Sequence, residues 1–481
     1  MCGDEFEIQH IIDDIVQAQQ SSTPMPLITT YCSTTPGGNF NTITGTLKFD
    51  ADNNGCDSGD VLNRFIKLDI TGGTQTDATY TNSAGTYNFY TQQGIFTITP
   101  QLENDWFTIS PQSASVTFAD NNNNTQTHDF CIAANGVHPD VEIVLVPILA
   151  ARPGFDAIYK IVYKNKGNQV LSGDITLNFN DTVTDFVSSN LAVNAQPGLL
   201  IWNYSNLMPF ENGEILFTLN VNSPMETPAI NIDDVLVFTV SITPVTGDET
   251  LQDNTFALNQ VVVGSFDPND ITCLEGETAP ESKIGDYLHY NINFENTGTA
   301  PATLIVVKDM IDAAKYDVST LQLLNASNEV MANITGNKAE FRFDNINLGP
   351  QGKGNLVFKI KTLGTLTTGN AVMNQAEIFF DYNFPIETND AITTFGTLST
   401  GDFVKDVSVK VYPNPSKDNV TITADGVINS VQLYDVQGRL LQTSNANNSM
   451  VTLNLSSRQA GIYFVKIATA KGVSVQKIIK E

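Results

Sequence analysis

Short runs of alternating apolar and polar residues, separated by clusters of glycine, asparagine and proline, occur along most of this 481-residue chain and restrict its fold. A period of two places successive side chains on opposite faces of a β-strand. GTLKFD, FIKLDITGG and GTYNFYT are examples, and turn residues follow each of them. We therefore expect an all-β protein made of tandem β-sandwich modules.

An internal repeat indicates that two of these modules share one fold. FDAIYKIVYKNKGNQ, near residue 160, matches GDYLHYNINFENTGTA, near residue 292, and WNYSNLMPFENGEILFTLNV aligns without gaps to FDNINLGPQGKGNLVFKIKT. The equivalent pairs are Tyr159 and Tyr290, Ile161 and Ile292, Tyr163 and Phe294, Asn165 and Asn296, Gly167 and Gly298, Trp202 and Phe343, Pro209 and Pro350, and Phe217 and Phe358. Alternating strands around an Asn-x-Gly turn are typical of an immunoglobulin-like sandwich.

The C-terminal segment contains four short strand patterns in a fixed order. They are VKVYPNPSKDNVTI, VQLYDVQGRLL, LNLSSRQAGIYFVKIAT and VQKIIKE. Pro413, Asn414 and Pro415 bend the first pattern, Gly438 marks a hairpin and Gly461 the entry to a later strand. These features predict a small antiparallel sandwich.

In this combination the segment resembles the type A sorting domain of type IX secretion. The resemblance covers residues 409–481 and implies that the type IX machinery is a partner and that the protein is secreted or held at the cell surface. The alternative interpretation is an ordinary terminal β-domain. SFDPND through AEIFFDYNFPIETN, at 265–396, resembles a domain of unknown function that recurs just ahead of such sorting domains.

The first full module resembles a surface-adhesin domain. Its opening, GTLKFDADNNGCDSGD, and the later block TNSAGTYNF resemble the B-type domains of serine-aspartate repeat adhesins and related prealbumin-like modules. That family implies a structural stalk unit, often stiffened by calcium, and not an enzyme.

The residue spacing in an acidic loop of this module indicates a calcium site, independently of the family resemblance. Asp50, Asp52 and Asn54 occupy alternate positions ahead of Gly55, which permits the sharp turn that brings oxygens together on a hard cation. Asp57 and Asp60 could add carboxylates. Position 12 is Val61, where an EF-hand has glutamate. A bare acidic β-turn remains the alternative, because Asp, Asn and Gly are common turn residues.

The first 41 residues predict a short helix. Ile8, Ile11, Ile12 and Ile15 fall on one helical face behind a candidate N-cap at Asp4. With ITTYCS after it, this segment resembles the closing cap of a leucine-rich repeat array, which would lie upstream of Met1. No signal peptide precedes it, although type IX cargo needs one. We therefore expect the chain to lack its natural beginning.

The five cysteines suggest disulfides in an exported protein. Cys2 and Cys32 would bridge the N-terminal cap. Cys56 and Cys131 would join the first loop of the first sandwich to its last strand, which leaves Cys273 unpaired. The alternative is five reduced, buried thiols, as in a cytoplasmic protein.

The formal net charge is −28, and most of the acidic residues lie upstream of the sorting segment, which has 8 Lys and Arg against 4 Asp and Glu. Nucleic acid is excluded as a partner, because its phosphates would be repelled along most of the chain. No apolar run approaches the ~20 residues of a transmembrane helix.

Four histidines, with no metal-ligand or nucleophile motif around them, predict no enzymatic site. We expect a non-catalytic surface or secreted protein with stalk, spacer and sorting domains, which forms part of a larger adhesin. The alternatives are a module that binds an extracellular glycan or protein, and the stalk of a lost catalytic domain. The predicted domains are a helix and cap at 1–41, a prealbumin-like sandwich at 42–137, immunoglobulin-like sandwiches at 138–264 and 265–396, a linker at 397–408 and the sorting domain at 409–481.

Overall fold

The computed structural model describes residues 38–72, 75–264, 267–381, 383–396, 408–434, 440–456, 458–469 and 471–481. These residues form β-strands, one 3-10 turn at Glu281–Lys283 and no α-helix, so the all-β prediction is confirmed. The predicted N-terminal helix, Cys2, Cys32 and Gly438 lie outside the described residues. The chain divides into two compact units, 1–397 and 398–481.

The described segments contain no helix with the length and apolar character needed to span a membrane.

The first module, which follows Gly38, is a sandwich of two sheets. Its strands are β1 Asn41–Asp50, β2 Val61–Leu62, β3 Lys67–Gly72, β4 Gln75–Tyr80, β5 Thr86–Thr91, β6 Gly94–Gln101, β7 Phe107–Ser110, β8 Ala114–Phe118, β9 Thr125–Thr127 and β10 Phe130–Ala134. One sheet has the order β2-β1-β10-β7, with β5 and β9 also on β1, and the other contains β4-β3-β6-β8. Ile43 and Leu47 on β1 point into the core and are fully buried, as the alternation predicts.

The second module has two sheets, with orders β11-β12-β17-β14 and β15-β16-β13-β18-β19. Its strands are β11 Val141–Pro147, β12 Asp156–Asn165, β13 Leu171–Asn178, β14 Thr184–Ser189, β15 Asn194–Gln196, β16 Leu199–Leu207, β17 Asn212–Val221, β18 Val235–Ile242 and β19 Thr255–Val261. Trp202, on β16, is 1% exposed and packs against Phe217 at 5.8 Å between ring centroids. Trp202 is therefore a core residue and not a surface contact for a ligand.

The third module repeats this arrangement with the orders β20-β22-β27-β24, β21-β31-β28 and β30-β29-β23-β26-β25. Its strands are β20 Asp270–Cys273, β21 Thr278–Ala279, β22 Tyr287–Glu295, β23 Ala302–Met310, β24 Tyr316–Ala326, β25 Met331–Thr335, β26 Lys338–Leu348, β27 Lys353–Thr362, β28 Ala371–Asn374, β29 Ala376–Phe380, β30 Ile386–Glu387 and β31 Ala391–Phe395. Phe343, on β26, is fully buried at the position equivalent to Trp202.

One pair of equivalent asparagines makes the same contacts in the second and third modules. Asn165 Nδ2 donates hydrogen bonds to the carbonyls of Gln169 and Leu207, at 2.7 and 2.9 Å. Asn296 Nδ2 donates to the carbonyls of Ala300 and Leu348, at 2.8 and 2.7 Å. Each buried amide therefore joins its own turn to the end of a distant strand, which is why both repeats have asparagine at this position.

The first three modules are packed directly against one another, and the first and third share a β-sheet. β4 of the first module pairs with β25 of the third, with Ala78 opposite Ile334, so one nine-stranded sheet runs through both modules. Tyr80 Oη donates a 2.6 Å hydrogen bond to the carbonyl of Leu321. Phe210 of the second module packs against Phe107 of the first, with 4.5 Å between ring centroids and the rings tilted by 35°.

The second and third modules also share an apolar interface. Val144, Val146 and Val162 of the second form a buried cluster with residues of the third that include Leu324 and Val357. β11 is buried along its whole length. One of its faces packs in the core of its own module and the other packs on the neighbouring module, so neither face is exposed to solvent.

The second unit is built on one antiparallel sheet of five strands. Its strands are β32 Lys410–Tyr412, β33 Asn419–Tyr434, β34 Leu440–Asn454, β35 Gly461–Thr469 and β36 Gly472–Lys480. The order is β32-β33-β35-β36, with β34 also on β33. Its core contains Val420, Val431, Leu433, Val465 and Ile467, all fully buried.

Candidate functional site

The acidic loop between β1 and β2 brings three of its predicted ligands together. Carboxylate oxygens of Asp50, Asp52 and Asp60 lie within 4.8 Å of one another. Asp50 is buried, and its carboxylate accepts backbone N–H bonds from Asn54 at 3.1 Å and from Gly55 at 2.9 Å. These bonds place the carboxylate at the centre of the loop. Three converging carboxylates are a ligand set suited to a hard divalent cation.

The other two predicted ligands shape the loop. Asn54 Nδ2 donates to Asp52 Oδ2 at 2.8 Å, and Asp57 Oδ1 accepts the N–H of Gly59 at 2.6 Å. Lys48 Nζ donates to the carbonyl of Asp57 at 2.5 Å. Asn54 and Asp57 therefore hold the turn and lie outside the group of three.

A disulfide fixes the loop to the sandwich. Cys56 is bonded to Cys131 on β10, the pairing that the sequence suggested, and Cys273 is a free, buried thiol. Because β10 lies beside β1, the bond holds the loop against the strand from which it leaves.

A cluster of charged side chains lies where the three modules meet, with Lys359 and Glu142 buried and Glu103 at its accessible edge, and we call it the charge junction. Lys359 Nζ, from the third module, lies 2.6 Å from Glu142 Oε2 of the second and 3.2 Å from Glu103 Oε1 of the first. Lys166 Nζ of the second module lies 4.0 Å from the same Glu103 oxygen. The side chains of Lys359 and Glu142 are 2% and 5% exposed. Burial alone would raise the pKa of Glu142, but Lys359 and two further lysines hold it at about 2.

A second group of carboxylates extends from the charge junction. Asp140, Asp248 and Asp253 have oxygens within 4.8 Å of one another. Lys166 Nζ lies 2.5 Å from Asp253 and 3.3 Å from Asp140, so a cation of the chain itself offsets part of the charge of this group. Burial raises the pKa of Asp140 to about 6 and that of Asp253 to about 7, although Lys166 opposes both shifts. The sequence analysis missed these residues, because their partners are far apart along the chain.

Two of the histidines in the described residues contact a glutamate carboxylate. His289 Nδ1 lies 2.7 Å from Glu275 Oε1, and His138 Nδ1 lies 2.7 Å from Glu249 Oε1. Cys273 Sγ donates to Glu275 Oε2 at 3.5 Å, but burial raises the pKa of this thiol. The reactive thiolate is therefore disfavoured, and the arrangement lacks the activated nucleophile of a cysteine enzyme.

The Asn414 side chain anchors the bend predicted in the sorting segment. Asn414 Nδ2 donates to the carbonyl of Lys477 at 2.6 Å, and its Oδ1 accepts the N–H of Ile479 at 2.8 Å. Pro413 and Pro415 flank it, and Gly461 opens β35. The first bend of the segment is thereby fastened to its last strand.

Two segments match known families. Residues 410–481 match the secretion system C-terminal sorting domain, and residues 267–394 match a domain of unknown function, DUF7619. The type IX sorting resemblance is confirmed, and the protein is exported to the cell surface or the medium. The chain is a modular protein of the cell exterior, and its sorting domain makes it a substrate of the type IX machinery.

No curated protein matches the sequence at a significant level. Among solved structures, the chain is similar to BcpA, the major pilin subunit of Bacillus cereus, with 7% identity over 87% of this chain and 96% of that one, at a TM-score of 0.19. It is also similar to the collagen adhesin of S. aureus, with 14% identity over 54% of this chain and 95% of that one, at a TM-score of 0.20. Similarities at such low TM-scores support no argument about function.

Asp309 on β23 is a buried carboxyl that makes stability depend on pH. The residue is fully buried, its Oδ2 accepts a 2.8 Å bond from Asn374 Nδ2, and burial raises its pKa from 3.8 to about 7. Between these two values the folded state holds a proton that the unfolded chain has released. The free energy of unfolding therefore falls as pH rises through this window.

We predict that Asp309→Asn raises the free energy of unfolding by about 2–4 kcal/mol near pH 8 and changes it little near pH 3, below both pKa values. Urea unfolding of the full chain at both pH values measures this difference. Asp105→Asn, which changes an exposed carboxyl, is the control. An Asp309→Asn effect of the same size at both pH values would contradict the assignment.

Proposed function

We propose that the first unit is a non-catalytic stalk or spacer of a larger adhesin and that the sorting domain serves its export. One observation carries this proposal: charged side chains buried in the first unit pair across module boundaries, as Lys359 does with Glu142 and Glu103. Groups paired in this way hold modules together and are not available to transfer protons to a substrate. The modules of the first unit are joined by a shared β-sheet and by ion pairs between charged side chains. Such a unit is suited to bear load as a spacer.

A crevice between the second and third modules favours a second candidate function, the binding of an extracellular glycan or protein. Its volume is about 860 Å³, and its lining includes the apolar residues Leu258 and Ile392 and the polar residues Asn293, Asn389 and Asp390. Apolar walls with a few polar groups are typical of ligand sites. The test is a glycan array probed with the full chain and with the Ile392→Glu variant. Binding by the full chain that is lost in the variant would favour this alternative over the spacer.

We also propose that the acidic loop binds calcium and stiffens the first module. The support is the approach of Asp50, Asp52 and Asp60 within 4.8 Å, in a loop held by the Cys56–Cys131 disulfide. A bound cation would offset the mutual repulsion of these carboxylates, so binding would stabilise the folded loop.

Deletion of residues 409–481 should stop export and leave the first unit folded in the periplasm, because the two units are separate compact bodies. The measurement is cell fractionation with surface proteolysis in a host that has type IX secretion. The control is Lys417→Ala, which changes an exposed side chain of the sorting domain and should be exported normally. Detection of the truncated protein on the cell exterior would refute the proposed role of residues 409–481 in export.

Calcium at a hundred times its dissociation constant should stabilise the first unit by about 2.7 kcal/mol, if the unfolded chain does not bind it. The measurement is the melting temperature of the full chain with calcium and with chelator. The double variant Asp50→Asn with Asp52→Asn should lose the calcium-dependent shift, and Asp105→Asn should keep it. A wild-type melting temperature that is the same in calcium and in chelator would exclude the site.

A further inference from the structure

A buried amine of the second module lies against two carboxamides of the third. Lys160 Nζ is 3.0 Å from Asn325 Oδ1 and 3.0 Å from Asn355 Oδ1. Glu214 Oε2 lies 3.5 Å from the same nitrogen. Lys160 is 3% exposed and the two asparagines are 2% exposed, so the amine and both carboxamides are enclosed by protein.

The strand registers explain why these four side chains meet. Lys160 on β12 and Glu214 on β17 lie on paired strands, in which Val162 is opposite Glu214. Asn325 on β24 and Asn355 on β27 are placed in the same diagonal way. Diagonal neighbours on one face of a sheet are close enough for long side chains to touch. Each sheet therefore presents one diagonal pair to the other module.

Burial makes the neutral form of this amine easier to reach than that of an exposed lysine. Burial lowers the pKa of Lys160, and Glu214 only partly opposes that effect. A neutral lysine amine has a free lone pair and is a nucleophile, whereas the ammonium ion is not. The Oδ1 atoms of both carboxamides lie 3.0 Å from this nitrogen, so two amide carbonyl groups are within its reach.

Glu214 is positioned to act on one of the two carboxamides. Its Oε2 accepts a 3.1 Å hydrogen bond from Asn325 Nδ2 and also lies 3.5 Å from Lys160 Nζ. A single oxygen can therefore take a proton from the amine and deliver it to the amide nitrogen. Asn355 Nδ2 instead donates to Asn291 Oδ1, at 2.9 Å. The Glu214 side chain is 44% exposed, which opens a route to solvent for a small leaving group.

We propose that Lys160 and Asn325 form an isopeptide bond that joins the second and third modules covalently. The Nζ lone pair attacks Cγ of Asn325, the C=O electron pair moves to Oδ1, and an Nζ proton passes to Glu214. The carbonyl then re-forms, the Cγ–Nδ2 bond breaks, and Glu214 gives its proton to Nδ2, which leaves as ammonia. An amine and a carboxamide thus become a secondary amide and ammonia, with no oxidant, reductant or cofactor.

The other asparagine has a positioning role. Asn355 Oδ1 accepts a hydrogen bond from Lys160 Nζ and directs the amine toward Asn325. Asn355 supplies no leaving group, because its amide nitrogen is held by Asn291 away from the carboxyl group of Glu214. The bond therefore depends on Asn325 and Glu214, whereas loss of Asn355 only slows its formation.

Intact-mass spectrometry of the full chain tests the proposal. The purified protein is kept folded until its mass is constant, and is then reduced and denatured so that the disulfide does not contribute. We expect a mass lower than that of the sequence by one ammonia molecule, and a branched peptide containing Lys160 and Asn325 in a protease digest. A wild-type protein with the full sequence mass overturns the proposal, and this result does not depend on the folding of any variant.

Three variants test the assigned roles. Lys160→Arg, Asn325→Ala and Glu214→Gln should each keep the full mass and yield no branched peptide. Asn355→Ala is the matched control, because it removes the neighbouring carboxamide, and it should still lose one ammonia. Hydrogen exchange verifies that each variant is folded. Loss of ammonia in Asn325→Ala but not in Asn355→Ala would overturn the assignment of Asn325 as the acceptor.

Discussion

The contact of Lys359 with Glu142 and Glu103 is the interaction on which the packing of the first unit depends, because one ammonium group joins side chains from all three modules. Burying these charges is costly, and the mutual attraction of the pair offsets that cost only while every partner is present. Removing one partner of such a pair costs about 3–5 kcal/mol. The junction therefore disfavours any packing of the three sandwiches that would keep these groups buried but apart from one another.

The sequence predicted the local features of the fold better than the assembly of its modules. Alternation predicted the strands, and the repeat predicted that Trp202 and Phe343 are core residues, because both signals lie within short stretches of chain. The pairing of β4 with β25 was not predictable, since an edge strand does not specify its partner. One signal was available: VEIVLVP, on β11, is apolar except for Glu142 and does not alternate, as is typical of a strand buried on both faces.

The candidate sites also differ in how far the sequence could predict them. The acidic loop could be predicted from the spacing of Asp50 and Asp52, because the ligands of a turn are neighbours in sequence. Lys359 and Glu142 are 217 residues apart, and Lys160 and Asn325 are 165 residues apart. The sequence also placed the cysteine pair Cys56 and Cys131 by the position of one in a loop and the other on a strand, and the structure joins them.

Hydrogen exchange after Lys359→Met tests most directly whether the charge junction unites the three modules. The control is Lys353→Met, on the same strand, whose partner Glu295 belongs to the same module. We predict that Lys359→Met lowers the protection of backbone amides in strands of all three modules, including β6, β11 and β27. Lys353→Met should leave amide protection in the first and second modules unchanged. Loss of protection confined to residues 267–396 in Lys359→Met would contradict it.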